Sequence, residues 1–260
     1  YNESPRYLVN TNLLGTVNCL EACRKAQAKL IFLSTSRVYP IDQLSSLPLI
    51  ETDTRFDLRH GYICNGVSDL GINEKFSMEG HRSLYGATKF ASEILIEEYC
   101  HAYGLSSIVN RCGVIAGPWQ MGKIDQGFIA LWASRHQYGG RLSYIGYGGS
   151  GKQVRDILHV NDLYNLIKSQ IPTLNSKKFD IYNVGGGRFS AVSLQELTKM
   201  CADYTNCKVD INPISQERQG DIPFYITDNT RVSEEFSWVP KIGPHAICLL
   251  YTSPSPRDAT

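Results

Sequence analysis

Apolar residues recur at helical and strand spacings along the first half of the chain. From Leu8 to Ala28 they fall mostly three or four residues apart, which predicts an amphipathic helix. Residues 29–33 are a short apolar run that predicts a buried strand. A second helix is predicted over Tyr85–Tyr103, ended by Gly104, and a second strand over 107–111. Helices and strands in alternation predict a parallel sheet with helices on its faces.

The second half of the chain repeats these elements at a looser spacing. Helices are predicted near residues 124–138, 161–170 and 193–204, separated by Gly-rich turns and short strands. Residues 40–80 are rich in Asp, Asn, Gly and Ser, and we expect them to be irregular. The predicted fold class is therefore α/β: a partial doubly wound, Rossmann-like parallel sheet with a smaller C-terminal α/β lobe.

Three regions follow from this pattern. Residues 1–120 are predicted to form a partial dinucleotide-binding domain that lacks its first strands. Residues 121–245 are predicted to form mainly the smaller lobe, with some segments returning to the sheet. Residues 246–260 form an atypical tail, because the sequence from Leu249 turns abruptly from apolar residues to Thr-Ser-Pro-Ser-Pro. We expect this tail not to pack as a terminal helix.

Composition excludes several classes of function. The net charge is +1, and no block of like charges suggests nucleic-acid binding or an anionic membrane surface. No apolar run is long enough to span a membrane. The eight cysteines include no CxxC pair, and Cys19 and Cys23 have no second pair of ligands at a suitable spacing. We therefore expect no metal site, no nucleic acid, no membrane and a reducing, cytoplasmic location.

A tyrosine and a lysine four residues apart are candidate catalytic residues. Tyr85 and Lys89 share one face of a predicted helix, because positions i and i+4 are neighbours on a helix. A lysine ammonium beside a phenol lowers the pKa of the phenol, so that it can accept a proton from an alcohol near neutral pH. Thr35, at the end of the first predicted strand, is placed to bridge a substrate to this tyrosine. We predict that Thr35, Tyr85 and Lys89 converge and are catalytic.

Two other pairs have the same spacing, and context separates them from the first. Tyr164 with Lys168 and Tyr204 with Lys208 also stand four residues apart. Neither follows a strand that ends in hydroxyl residues, as 33–36 does, and neither begins a helix among small residues. We interpret both as ordinary amphipathic helix positions.

Several motifs in order resemble the extended short-chain dehydrogenases/reductases of the NAD-dependent epimerase/dehydratase family. These are Asn12-x-x-Gly-Thr, Ser-Thr35-x-x-Val-Tyr, Ser-x-Tyr85-Gly-x-x-Lys89, Arg111 to Gly117-Pro118, Arg155-Asp156-x-x-His159-Val-x-Asp162, Asn183-Val-Gly-Gly-Gly and Arg218-x-Gly-Asp221. The resemblance covers roughly residues 5–245. Within the family, Ser34 to Tyr39 and the stretches at 51–55, 125–127 and 151–156 are most similar to the CDP-paratose (CDP-tyvelose) 2-epimerases.

The resemblance implies a cofactor, a substrate and the residues that contact them. The implied cofactor is NAD, held by Asn12, Tyr85, Lys89, Arg111 and Cys112. The implied substrate is a nucleotide sugar, with CDP as its nucleotide, held by Arg37, Asp125, Gln126, Arg155, Arg218 and Asp221. Arginine suits the diphosphate because its planar fork chelates two oxygens at once. The resemblance also implies a homo-oligomer.

The implied reaction is epimerisation by transient oxidation, with Tyr85 accepting the hydroxyl proton. The 4,6-dehydratases of the family carry an Asp-Glu pair where this chain has Ser36 and Arg37, so dehydration is disfavoured. Many sugar 4-epimerases place Asn where this chain has Val114. The first alternative is a nucleotide-sugar 4-epimerase or reductase of the same fold, and the second is a non-catalytic binding protein.

A phosphate-binding turn is missing from the sequence. No GxGxxG follows a strand, and Gly146, Gly148, Gly149 and Gly151 lack the strand–turn–helix context of such a turn. We therefore expect the 260-residue chain alone to be unstable and to bind NAD weakly or not at all.

Overall fold

A computed structural model describes residues 4–120 and 127–252, the last of these by its backbone alone. The helices are α1 (Pro5–Leu8), α2 (Gly15–Ala26), α3 (Ile41–Ser45), α4 (Leu84–Tyr103), α5 (Phe128–Tyr138), α6 (Val160–Thr173), α7 (Leu194–Thr205), α8 (Thr230–Phe236) and α9 (Pro244–Thr252). A π-helical turn, Val9–Leu14, joins α1 to α2. Short 3-10 turns lie at Ser36–Val38, Tyr147–Gly149 and Arg188–Ser190.

The strands are short and belong to several sheets. They are β1 (Leu30–Thr35), β2 (Leu49–Glu51), β3 (Phe56–Leu58), β4 (Val67–Ser68), β5 (Gly71–Ile72), β6 (Ser107–Cys112), β7 (Val114–Ala116), β8 (Leu142–Ile145), β9 (Val154–His159), β10 (Phe179–Val184), β11 (Ala191–Ser193), β12 (Ile211–Ile214) and β13 (Phe224–Tyr225).

The main sheet is parallel and has the order β1-β6-β10. Leu30–Thr35 and Phe179–Val184 pair on either side of Ser107–Cys112, so all three strands end at one edge. Every residue of β6 is buried, as expected for a central parallel strand. Its side chains alternate: Val109 packs with α2 and α4, and Ile108 packs with α6 and α8. The predicted α/β class with a Rossmann-like parallel sheet is confirmed.

A second, mixed sheet continues from the end of the first. Strand β9 pairs with β7 and β13 in parallel and with β11 in the antiparallel direction. The chain passes from β6 into β7 across the single residue Gly113, so the two sheets are joined at the edge where β6 ends. Helices α5, α7 and α9 pack together beside β7 and β9 in a separate apolar cluster.

Residues 40–80 are more ordered than the composition predicted. They contain α3, the hairpin β2–β3 and the small hairpin β4–β5. Ion pairs fasten the first hairpin, because Arg55 binds Glu196 at the start of α7 and Asp57 accepts a hydrogen bond from Arg188. The expectation of an irregular region was wrong here, since long-range polar contacts stabilise strands too short to show a pattern in the sequence.

The C-terminal segment also differs from expectation. Helix α9 extends through Thr252, so residues 249–252 do pack as part of a terminal helix. Its buried Ile247 joins the apolar cluster of α5 and α7, which supplies the packing that the sequence did not suggest. Residues 253–260 lie outside the described part of the chain.

No helix among residues 4–120 and 127–252 is long and apolar enough to cross a membrane.

The packing of α6 on the main sheet can be tested at Leu166. This side chain is fully buried between the sheet and α8, so Leu166→Ala should lower the free energy of unfolding by about 2–5 kcal/mol. Ile171 lies on the same helix but is 56% exposed, and Ile171→Ala should change the free energy by less than about 1 kcal/mol. Equilibrium denaturation of both variants measures the difference, and equal losses would contradict the assignment of the buried face.

Candidate active site

The predicted catalytic tyrosine and threonine meet at the carboxyl edge of the main sheet. Thr35 is the last residue of β1, and Tyr85 lies in the first turn of α4, where Ser83 accepts a hydrogen bond from the Gly86 amide. The Thr35 side chain lies beside the Tyr85 phenol and lowers its pKa. Tyr85 remains 41% exposed, so its ring borders solvent at this edge.

Gly86 allows the start of α4 to approach the segment that follows β1. A Cβ at this position would lie 2.0 Å from the carbonyl oxygen of Arg37, far inside van der Waals contact. Only glycine therefore brings Tyr85 within reach of Thr35 without moving the helix or the 3-10 turn.

The pKa of Tyr85 differs from the sequence prediction. Burial raises it above the usual value for tyrosine, the Thr35 side chain and the charge of Arg37 lower it, and Cys112 adds to the rise. We expected Lys89 to lower the pKa of Tyr85, and this expectation was wrong. The ammonium of Lys89 is bound to the end of β1 instead.

Lys89 instead contacts the end of β1. Its Nζ donates a hydrogen bond of 2.6 Å to the carbonyl oxygen of Leu33 and lies 3.8 Å from the centre of the Phe32 ring. Burial lowers the pKa of Lys89, and the nearby Cys112 and Glu93 oppose that change. Cys112 at the end of β6 influences the pKa of both Tyr85 and Lys89.

Cys112 and Thr35 are register partners on neighbouring strands. The Cys112 thiol is buried, which raises its pKa to about 12, with Lys89 as the opposing influence. A thiol in this state is a poor nucleophile and forms part of the wall of the site.

Asn12 and Arg111, which the resemblance assigned to the cofactor, are held by protein partners. The Asn12 amide donates a hydrogen bond of 3.0 Å to Thr88, which fixes the π-helical turn beside α4. Arg111 is buried and binds Glu93 through two nitrogens and the Tyr39 hydroxyl through a third. Both residues lie near the predicted site, but their side chains are directed into the protein.

Three of the predicted substrate residues converge on residues 220–222. Arg155 binds the carboxylate of Asp221 at 2.7 Å and the carbonyl of Ile222 at 2.6 Å. Arg37 donates a hydrogen bond of 3.1 Å to the carbonyl of Gly220. The Arg37 turn follows β1 directly, so it connects the Tyr85 region to the Arg155 region.

Arg218 lies at the outer end of the same segment. Its side chain is exposed and has no ion-pair partner within the part of the chain that the structure describes. A shallow pocket beside Arg37 runs between the Ser83 cap and Gly220. Asp125 and Gln126, the remaining predicted substrate residues, lie outside the described residues.

Sequence reasoning missed Tyr147, which lies beside this group of charges. Its backbone has φ of 51°, a left-handed conformation that non-glycine residues rarely adopt. The charges of Asp221, Arg155, Glu217 and Arg37 all act on its hydroxyl, and burial raises its pKa. The signal in the sequence was a tyrosine placed between Gly146 and Gly148-Gly149 shortly before Arg155.

The left-handed conformation of Tyr147 has no explanation in helix capping. Among the described residues, four other non-glycine residues have a positive φ. Gln27, Asn206 and Ser237 each end a helix, where this conformation is common, whereas Trp119 lies in a turn. Tyr147 ends no helix, and its ring packs against Phe56 of β3 at 5.9 Å between ring centres. Backbone strain of this kind gathers at functional sites.

The two other tyrosine–lysine pairs lie away from this edge. Tyr164 is 58% exposed on α6, and the Lys168 ammonium lies over its ring. Tyr204, near the end of α7, is hydrogen-bonded to His245. Neither has a strand end with hydroxyl side chains beside it, which agrees with their interpretation as ordinary helix positions.

The parallel sheet, with a tyrosine and a lysine on the helix at its carboxyl edge, defines a Rossmann-like α/β protein of the short-chain dehydrogenase/reductase type. The chain belongs to the NAD dependent epimerase/dehydratase family, whose model matches residues 1–185. This confirms the predicted family and the predicted cofactor, since the family is NAD dependent.

Among its relatives, CDP-paratose 2-epimerase of Salmonella typhi is 28% identical over 235 residues, which are 89% of this chain and 66% of that protein. UDP-glucuronate 4-epimerase 2 of Arabidopsis thaliana is 25% identical over 92% of this chain and 51% of its own length. The chain therefore spans between about half and two thirds of the length of these relatives.

Solved structures agree with the fold. The UDP-glucose 4-epimerase of Thermus thermophilus, in complex with NAD, superposes with a TM-score of 0.70 at 25% identity, over 94% of this chain and 69% of that one. Pal from Bacillus thuringiensis gives a TM-score of 0.75 at 21% identity, over 96% of this chain and 69% of that one, and supports the fold alone.

The interaction between Thr35 and Tyr85 can be tested without substrate. Thr35→Val removes an interaction that lowers the pKa of Tyr85 while burial stays, so this pKa should rise further. Ultraviolet difference titration measures it, with Tyr85→Phe identifying the signal.

Thr198→Val is the matched control for this titration. Thr198 bears the same relation to Tyr144, whose pKa is raised by burial and lowered by its hydrogen bond to Thr198. The control should raise the pKa of Tyr144 and leave Tyr85 unchanged. An unchanged or lower pKa of Tyr85 in Thr35→Val would disprove the contact.

Proposed function

We propose that this protein is an NAD-dependent nucleotide-sugar epimerase. The observation that carries the proposal is the meeting of Thr35 and Tyr85 at a solvent-facing strand edge, with Arg37 leading from there to Arg155. A proton-accepting phenol and an arginine cluster, linked by one continuous turn, suit a substrate with a sugar hydroxyl at one end and a diphosphate at the other. Membership of the family supports the same conclusion.

The residues at this edge fit the reactive end of NAD. The polar atoms of Tyr85 and Lys89 lie at the carboxyl ends of parallel strands. Dinucleotides bind at this position in open α/β sheets. The central strand ends at this edge with the small residue Cys112, followed by Gly113. Tyr85 and Lys89 would hold the nicotinamide ribose end, and NAD when bound supplies the acceptor and donor of the hydride.

Tyr85 does the proton chemistry in this proposal. As the phenolate it accepts the proton of the sugar hydroxyl as the carbon becomes a planar ketone, and it returns the proton when the carbon is reduced from the other face. Thr35 hydrogen-bonds the phenolate and orients the hydroxyl, and Lys89 keeps a positive charge at the strand end. Burial raises the pKa of Tyr85, so the phenolate depends on its polar neighbours.

The arginines bind the nucleotide end of the substrate. Arg155 is held by Asp221 and by the carbonyls of Val154 and Ile222, which fixes the position of its guanidinium, and the exposed Arg218 adds a second positive charge. Ser36 and Arg37 occupy the positions where dehydration needs a carboxylic acid pair, so the ketone returns to an alcohol and loses no water.

For the substrate, we propose C2 of a CDP-linked dideoxyhexose. Its support is the Ser-Thr-Ser-Arg-Val-Tyr segment at 34–39 and the similarity to CDP-paratose 2-epimerase. The second candidate is a 4-epimerase, favoured by the relatives that act at C4 of UDP sugars. Incubation with CDP-paratose and with UDP-glucuronate, followed by NMR of the products, separates the two. Net consumption of NADH would instead indicate a reductase, and no turnover with either sugar would contradict the proposal.

Tyr85→Phe tests the proton acceptor. Removing the hydroxyl should lower kcat by roughly 10²–10⁴-fold, because the variant loses the proposed proton acceptor beside Thr35. Tyr164→Phe is the control, since Tyr164 also has a lysine four residues later but is exposed on α6, and it should leave kcat unchanged. Steady-state assays of both variants measure the difference, and equal activities would remove Tyr85 from the mechanism.

Arg155→Ala tests the diphosphate site. Diphosphate binding is shared by the ground and transition states, so KM for the nucleotide sugar should rise by roughly 10-fold or more while kcat changes little. Arg188→Ala, which breaks an ion pair with Asp57 on the β3 hairpin, should leave KM unaltered. An unchanged KM in Arg155→Ala would count against this role.

A further inference from the structure

A buried polar network lies directly behind the candidate active site and centres on Glu93. The carboxylate of Glu93 accepts hydrogen bonds from Ser34 of β1 and from Nε and Nη2 of Arg111 of β6, the last at 2.7 Å. Arg111 continues to the Tyr39 hydroxyl at 3.2 Å, and Tyr39 donates to Asn183 of β10 at 2.8 Å. One carboxylate on α4 thus connects to all three strands of the main sheet.

Glu93 lies on the same face of α4 as the predicted catalytic residues. Tyr85, Lys89 and Glu93 follow one another at intervals of four, so they form one stripe along the helix. Lys89 is the middle residue of this stripe. The two outer residues contact the end of β1: Tyr85 lies beside Thr35, and Glu93 accepts a hydrogen bond from Ser34.

The strand positions that Glu93 holds are the neighbours of the reacting groups. Ser34 stands between Leu33, whose carbonyl accepts from Lys89, and Thr35, which lies beside Tyr85. Arg111 is followed by Cys112, which influences the pKa of both Tyr85 and Lys89. A shift at Glu93 therefore moves the partners of both predicted catalytic side chains.

The charge of Glu93 matters as well as its geometry. Glu93 is 2% exposed and Arg111 4%, so removing one leaves the other as an uncompensated buried charge. Burial lowers the pKa of Lys89, and Glu93 and Cys112 are the groups that oppose it, while Phe32 and the Leu33 carbonyl face the ammonium from β1.

We propose that Glu93 is the positioning residue of this site. It holds the ends of β1 and β6 against the Tyr85–Lys89 face of α4 and places a negative charge one helical turn from Lys89. It touches neither substrate nor cofactor and acts through Ser34, Arg111 and Lys89. The kinetic part of this inference rests on the proposed epimerase function, whereas the effect on Lys89 does not.

Glu93→Gln is the decisive variant, because it keeps the size of the side chain and removes its charge. The pKa of Lys89, followed by 15N NMR with Lys89→Arg to assign the signal, should fall by about one unit. With a nucleotide sugar, kcat should fall by roughly 10–100-fold through misplacement of the reacting groups, while KM stays within about twofold. Glu93→Asp keeps the charge, so it should restore the pKa of Lys89.

Gln170→Leu is the matched control. Gln170 of α6 exchanges two hydrogen bonds of 2.8 Å with Asn110, the neighbour of Arg111 that points to the opposite face of β6. This variant breaks an equally buried polar pair away from the site, so it should lower the melting temperature and leave kcat and the pKa of Lys89 unchanged.

The outcomes separate this inference from the proposed function. An unchanged pKa of Lys89 in Glu93→Gln, or a loss of kcat no larger than in Gln170→Leu, overturns the positioning role. Should Glu93→Gln fail to fold, the double variant Glu93→Leu/Arg111→Met leaves no buried charge at these two positions and should still lower the pKa of Lys89. A shifted pKa together with an inactive wild-type protein supports the role of Glu93 and refutes the epimerase function.

Discussion

Three parallel strands end at the same level of the main sheet, and the rest of the molecule depends on this constraint. Thr35, Cys112 and Val184 are partners in the register of β1, β6 and β10, so their positions along the strand axis are fixed by the backbone hydrogen bonds of the sheet. The groups proposed for proton transfer lie at this edge: Thr35 ends β1, and Tyr85 and Lys89 lie near the start of α4. A slip of one residue in any strand would turn its side chains to the other face.

The second sheet packs closely against this edge of the main sheet. Asp156 of β9 is buried between the strand ends, where its carboxylate accepts a hydrogen bond from the Gly187 amide. A Cβ at Gly185 would lie 2.1 Å from this carboxylate. The Gly-Gly-Gly run after β10 is therefore a packing requirement of the junction between the sheets, and burial raises the pKa of Asp156 there.

The elements that depend on local sequence pattern could be predicted. The side-chain contacts between residues distant in the sequence could not. Helix α4 and strand β6 were predicted within one residue at each end, because periodicity and Gly104 mark them. Tyr85 was chosen over two equivalent pairs from its context. The direction of Lys89 and the burial of Arg111 were not predictable, because they are set by Leu33 and Glu93. The sequence held one signal for the burial of Arg111. This arginine stands in an apolar strand, and a possible partner, Glu93, follows Lys89 by four residues.

The left-handed backbone of Tyr147 has a consequence for how the molecule balances stability against activity. A non-glycine residue in this conformation costs the folded state about 1 kcal/mol or more, and glycine would remove that cost. Glycines already stand at 146, 148 and 149, so the loop tolerates that residue on every side. A protein optimised for folding alone would carry glycine at 147. The chain instead keeps an aromatic ring beside Arg155 and Arg37, the arginines proposed to bind the substrate, in a trade-off between the ease of folding and the shape of the site.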